Sequence, residues 1–182
     1  MTSLGSYAKT GTLDCNTLVT NDIKTNGNVL TSVYNQLILS AVETVTGTLE
    51  PLKKWIVDAN VGGKGVTIDS TTGQIKVSET GLYMVNFSAQ LDNAQNFTNL
   101  DVELNKTPKG GVSTLQIKES YNDSGSQATA RISRATMNLS FLLKINDVDD
   151  SFDLEARVAG IVAGSASTAQ TDGTVAQIIK IL

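Results

Sequence analysis

The 182-residue chain has room for one ordinary domain and an appendage, since about 100–200 residues is the usual domain size. Its 40% apolar and 18% charged residues exclude a highly charged disordered chain, and no apolar run approaches the roughly 20 residues that cross a bilayer, so no membrane partner is expected. With a net charge of −4, 14 scattered basic residues and no histidine, the chain lacks the basic footprint that nucleic acid demands and the commonest general base and metal ligand.

Residues 1–9 lack the basic start and continuous apolar stretch of a secretory signal, which implies a protein made and folded in a cytoplasm. Cys15 stands alone, so no intrachain disulfide and no cysteine-rich metal site can form. From Thr10 to Leu30 single apolar residues, Leu13, Leu18, Ile23 and Val29, recur at intervals of five or six among Thr, Asn, Asp and Gly. Such a stretch buries no core of its own. It suits an extended arm over residues 1–29 that lies on another surface, with those four residues as its attachment points, or else a flexible leader.

Leu30, Val33, Tyr34, Leu37, Ile38, Ala41, Val42 and Val45 fall at i, i+3, i+4, i+7, i+8, i+11, i+12 and i+15. A 3.6-residue period explains this stripe better than strand alternation, which Asn35 and Glu43 would interrupt, and predicts one short amphipathic helix within residues 30–47. Thr31 or Ser32 would cap its start and Gly47 would close its end. Its apolar stripe either docks on the chain's own domain or packs three copies around an axis as a neck.

Residues 48–182 form the predicted head. Apolar residues alternate with polar ones through Ile75 and Val77, Tyr83 to Leu91, Leu100 to Leu104, Leu115 and Ile117, Met137 to Ile145, Phe152 to Val158, and Val175 with Ile179 and Ile181. Period-two patterning with turn clusters between the runs predicts an all-β antiparallel sandwich. Asp101, Glu103, Asp153, Glu155 and Arg157 are assigned to a solvent face. Leu82, Met84, Leu142 and Ile178 lie off the main apolar faces, which points to a further partner surface.

No residue is singled out as catalytic, metal-binding or cofactor-binding, and no cofactor or enzyme activity is expected. Asp147, Asp149 and Ser151 have the alternate spacing of a calcium loop, but Phe152 stands where the sharp turn needs Gly and Val158 where the bidentate Glu belongs, so a solvated turn is predicted. Gly62-Gly-Lys-Gly lacks the spacing of a phosphate loop, and the Asn-x-Ser/Thr sequences at Asn86, Asn96 and Asn138 lack a secretory route. Glu119 with Arg131 and Arg134 suggests cross-strand surface ion pairs.

The sequence Thr72-Gly-Gln-Ile-Lys-Val-Ser-Glu-Thr-Gly-Leu-Tyr-Met-Val-Asn-Phe-Ser-Ala, with Gly81 ahead of the Tyr83-x-Val85-x-Phe87 strand, resembles the signature strand pair of the complement-globular-head and tumour-necrosis-factor superfamily of jelly rolls. The later order of a hairpin, a long alternating strand over Ala135–Ile145, an acidic turn over Asn146–Asp150, a strand over Phe152–Val158 and a terminal apolar strand follows the same pattern. The resemblance implies a jelly-roll head in a homotrimer. Leu82 and Met84, with the eight residues of the stripe, are its expected trimer or neck contacts.

Among the uses of such trimers, absent cysteine pairs and Gly-X-Y repeats point away from extracellular signalling and filaments. The Thr/Asn-rich arm, similar to attachment segments of bacteriophage fibres, favours a virion protein assembled in the host cytoplasm. The expectation is a capsid decoration (cement) protein or head fibre on the capsid surface, whose arm binds the major capsid protein or another virion protein. The alternative is a tail fibre or receptor-binding module that recognises a host glycan through loops such as Asn60–Gly65 and Tyr121–Ser126.

Overall fold

In the computed structural model, residues 23–25, 28–30, 34–61, 65–92, 99–122, 134–159 and 167–181 are described. The chain divides into two compact units, Met1–Ser32 and Val33–Leu182. In the first, strands β1 (Ile23–Thr25) and β2 (Asn28–Leu30) pair antiparallel with Ile23 opposite Leu30 and Thr25 opposite Asn28. The two residues between them in sequence, Asn26-Gly27, are the pair that a tight hairpin favours.

The second unit is an antiparallel sandwich. One sheet has β9 (Gly81–Asp92) at its centre, flanked on one side by β12 (Arg134–Ile145) and on the other by β14 (Ser167–Ala169) and β15 (Val175–Lys180). Beyond these lie β4 (Glu43–Val45) on β14 and β3 (Tyr34–Leu39) on β15, with β6 (Trp55–Val57) at the edge. The other sheet runs β11 (Thr114–Asn122), β10 (Asn99–Thr107), β13 (Ser151–Ala159), β8 (Ile75–Val77), β7 (Val66–Ile68), and β5 (Glu50–Pro51) also pairs with β13.

Alternation decides which side chains meet between the sheets. Tyr83, Val85, Phe87, Ala89 and Leu91 of β9 are buried, as are Leu100, Val102 and Leu104 of β10 and Phe152, Leu154, Ala156 and Val158 of β13. Trp55 meets Phe87 edge-on, with ring centroids 5.9 Å apart at 73°. The Tyr83 hydroxyl donates to the Glu79 carbonyl at 2.7 Å; burial first, then the Glu79 charge, pushes it up to about 12. The β7–β8 hairpin turns on Gly73 at φ +80°, where an added Cβ would lie 2.6 Å from the Leu52 carbonyl oxygen and 2.8 Å from Pro51 Cβ.

The jelly-roll sandwich agrees with the sequence reading, but the helix within residues 30–47 does not form: residues 34–39 and 43–45 are strands of the first sheet. Leu37, Leu39 and Val45 enter the core, and Asn35 is carried into it on the same face. Glu43 does not break a strand face. Its carboxylate accepts the Lys53 N–H at 2.9 Å and the Lys54 N–H at 3.2 Å, tying β4 to the segment before β6. Sheet pairing to β15 and β6 thus overrides the helical spacing, as tertiary pairing commonly does.

Strand β15 is also reversed relative to the expected faces. Ala176 and Ile178 are fully buried, whereas Val175 and Ile179 face outward and Ile181 just beyond the strand is 46% exposed. A run apolar on both faces leaves its orientation to the register, set here by Ile178 opposite Val85 and Ala176 opposite Phe87.

Candidate functional site

The outer face of the β9 sheet carries side chains in ordered rows, because directly opposed residues of antiparallel strands point the same way. One row is Leu142, Met84 and Ile179, and beside it Leu82 is opposed by Lys144, its carbonyl accepting the Ile181 N–H at 2.8 Å. A second apolar row is Val175, Ile38 and Ile56, continued on the other side by Ser88 and Asn138. Leu142 and Ile56 are 53% and 45% exposed, and the rest of these apolar side chains are half-buried apart from Ile181.

Between the two rows runs a polar belt: Ser140, Asn86, Gln177 and Gln36 on four strands, and Asp58 just past the end of β6. Ser140 Oγ donates to Asn86 Oδ1 at 2.6 Å, and Gln36 Nε2 donates to Asp58 Oδ2 at 3.1 Å. Asp58 is buried and also accepts the Asn60 N–H at 2.9 Å. A shallow groove of about 550 Å³ overlies the β12 end of the belt, lined by Asn86, Ser88, Asn138, Ser140, Gln177 and Glu119 among others.

The outer face of the other sheet is charged. Asp101 accepts Ser120 Oγ at 2.5 Å and Arg157 Nε at 2.7 Å, with Lys118 Nζ at 3.4 Å. Burial opposes its ionisation, but those three partners outweigh it and hold the carboxyl below its usual range. Lys118 also pairs with Glu103 at 2.8 Å, and Glu103 stands opposite Glu155. Burial, then the Asp153 and Glu103 charges, pushes Glu155 up to about 7. Asp101, Glu103 and Asp153 therefore do not stand in solvent as the alternation suggested; they point outward yet are buried among neighbouring side chains.

At one end of the sandwich Lys106 Nζ pairs with Asp150 at 2.8 Å and donates to the Lys144 carbonyl at 2.7 Å, linking the two sheets. Asp150 also accepts the N–H groups of Lys109 at 3.0 Å and Asn146 at 3.1 Å. Burial raises this carboxyl, but Lys106 and the backbone donors prevail and hold it far below the ordinary range. In the turn, Lys109 spans Asp147 at 3.5 Å and Asp149 at 2.8 Å, while Ser151 begins β13. The would-be calcium loop is thus an ion-paired turn, and no cluster of three potential metal ligands occurs among the described residues.

The predicted interface residues separate. Leu37 and Val45 belong to the core and are not available to a neck, whereas Ile38, Leu82 and Met84 share the outer face; Ala41 and Val42 are exposed at the β3–β4 turn. Leu13, Leu18 and Val33 lie outside the described residues, as do the side chains of Ile23, Val29, Leu30 and Tyr34. Tyr121 stands in strand β11 opposite Leu100 rather than in a loop. Arg134 pairs with Asp92 at 2.8 Å and Asp172 at 3.5 Å, not with Glu119, and Arg131 lies outside the described residues. Sequence reasoning missed the belt, whose members come from four strands and the residue after β6 and have no common motif.

No family model matches the chain, and no curated protein matches it. Its fold is shared with solved structures of the tumour-necrosis-factor type. An Eiger TNF from S. frugiperda superposes with a TM-score of 0.64 at 12% identity, covering 83% of this chain and 93% of that one. Murine APRIL at pH 5.0 gives 0.59 at 10% identity, with 82% and 99% covered, and at pH 8.5 it gives 0.58 at 11%, with 82% and 98% covered. The head is a TNF-like jelly roll.

Proposed function

We propose that the chain is a homotrimeric structural protein of a virion, a capsid decoration protein or head fibre, with residues 1–29 attaching it to the capsid. The observation that carries self-association is the pair of apolar rows on the outside of a sheet whose inner face already forms the core. The Thr- and Asn-rich segment, with its sparse apolar residues, supports the attachment role of the arm.

Light scattering on the full chain should give three copies of the 19.2 kDa protein, roughly 58 kDa. Removal of residues 1–29 should abolish binding to purified capsids while leaving the head trimeric. A full chain that stays monomeric at micromolar concentration overturns the trimer. A truncated chain that still binds capsids overturns the role of the arm.

A further inference from the structure

We propose that Asp172-Gly173, in the turn between β14 and β15, is a site of spontaneous covalent modification at which the main chain rearranges to isoaspartate. The reaction needs no partner and stands apart from the functional reading above. Asp-Gly occurs once in the chain. Glycine brings no side chain to screen the amide nitrogen that must reach the carboxyl carbon of the preceding residue.

The turn presents both reacting groups. Thr174 N–H donates to the Gln170 carbonyl at 3.1 Å and spans the turn, whereas the Gly173 N–H has no acceptor among the described residues. The Asp172 side chain is 63% exposed, and its two oxygens are approached by Gln90 Nε2 at 3.3 Å and Arg134 Nη1 at 3.5 Å. Both contacts are long for a hydrogen bond, so they aim the carboxyl without fixing it. The Gln90 amide lies over the Gly173 α-carbon, in the space a Cβ would take, which sets one donor beside both reacting residues. That amide and the guanidinium stand where the oxygens of a tetrahedral adduct gather negative charge. The aspartates followed by serine are less free: Asp69 accepts the Thr71 N–H at 2.8 Å, and Asp150 is buried against Lys106.

The Gly173 nitrogen forms a bond to the Asp172 side-chain carboxyl carbon, and its proton leaves with a carboxyl hydroxyl as water, closing a succinimide. Water then adds at either ring carbonyl. Opening at the side-chain carbonyl restores aspartate; opening at the main-chain carbonyl breaks the bond to nitrogen there, so the chain runs through the former side chain. One water leaves and one enters, and no other reactant is required. The product has one more main-chain carbon in the turn and a carboxylate carried directly on the α-carbon. Its contacts with Gln90 and Arg134 are thereby lost, while Arg134 keeps Asp92.

The folded full chain is held for several weeks in neutral buffer at physiological temperature, beside a free peptide of residues 168–176. Isoaspartyl methyltransferase labelling counts the modified chains, and electron-transfer dissociation of proteolytic peptides locates the site. Among the aspartates, Asp172 should convert first, at a rate within about tenfold of the peptide's, so that the fold adds no more than about 1.4 kcal/mol to the barrier. Asp172→Asn should close the same ring with loss of ammonia in place of water, and hydrolysis then leaves a heavier chain that intact-mass spectrometry counts. The mass gained by the wild type, where Asn26-Gly27 can follow the same chemistry, is subtracted. Circular dichroism confirms that both proteins are folded. A folded wild type whose Asp172 converts more slowly than this, or in which another aspartate converts first, overturns the proposal. A folded Asp172→Asn variant that gains no mass beyond the wild type overturns it as well.

Discussion

Replacing Asp150 by Ala should destabilise the head far more than replacing its partner Lys106 by Met. Asp150 is buried, and its carboxylate pairs with Lys106 Nζ at 2.8 Å while accepting the backbone N–H groups of Lys109 and Asn146. The Asp150→Ala change leaves a largely buried ammonium with only the Lys144 carbonyl and strips three backbone donors, Lys109, Asn146 and Asp147, of their acceptor. Breaking a buried pair from one side costs about 3–5 kcal/mol. Lys106→Met keeps the backbone donors on the carboxylate and fills the same space with an apolar chain, so the loss should be about 1–2 kcal/mol. At about 2–4 °C per kcal/mol for a domain of this size, Asp150→Ala should melt roughly 6–20 °C lower. Urea unfolding followed by Trp55 fluorescence at one fixed protein concentration measures both variants. A loss under about 1 kcal/mol for Asp150→Ala, or a larger loss for Lys106→Met, would show that this pair does not hold the two sheets together.

Glu155 has a folded-state pKa of about 7, above its unfolded value, so its charge disfavours the fold at high pH, and stability should rise as pH falls through about 7 and level off at the unfolded carboxylate range. After allowance for partial exposure the gain is roughly 1–2 kcal/mol, and Glu155→Gln should flatten this limb in a series of melts against pH. Asp150, with its carboxyl held low, acts oppositely: its contribution is complete above the unfolded carboxylate range and is lost as pH falls through its folded value, so melting temperature should drop below about pH 4. Gly73→Ala should cost at least about 1 kcal/mol, because the φ of +80° and the nearby Leu52 carbonyl both oppose a side chain; an unchanged melting temperature would refute that. Met84→Asp, in the centre of an apolar row, should shift the proposed trimer to monomers in light scattering without lowering β content, and an unchanged mass would place the interface elsewhere.

The sandwich was legible because β9, β10, β12 and β13 carry runs in which every second residue is apolar, so each core residue follows from its neighbour two positions away. Residues 34–45 were misread for a physical reason. Apolar residues at Leu37, Ile38 and Leu39 serve both periods, and the departure from alternation at Asn35 looked decisive although the core admits that residue. Strand β15 failed similarly, since Ala176 faces the core and the larger Val175 faces outward. The ion pairs were beyond reach: Arg157 finds Asp101, and Lys106 finds Asp150, only after distant strands are set side by side. The belt is more hidden still, because Ser140 and Gln36 share a row only when two intervening strands are in register.

The two outer faces of the sandwich are suited to different surroundings. Covering the β10–β13 face with an apolar partner would further desolvate Glu103, Asp153 and Glu155, whose crowding already pushes Glu155 up to about 7. Each proton taken up or charge left buried would oppose such a contact. Covering the β9 face instead removes Leu82, Met84, Leu142, Ile179, Ile38 and Ile56 from water, at about 25 cal/mol for each Å² of apolar surface. Among the described residues the polar groups covered with them would be those of the belt together with Ser88, Asn138 and Lys144. Self-association therefore has one favourable face, and the charged face is left to water or to a partner of opposite charge.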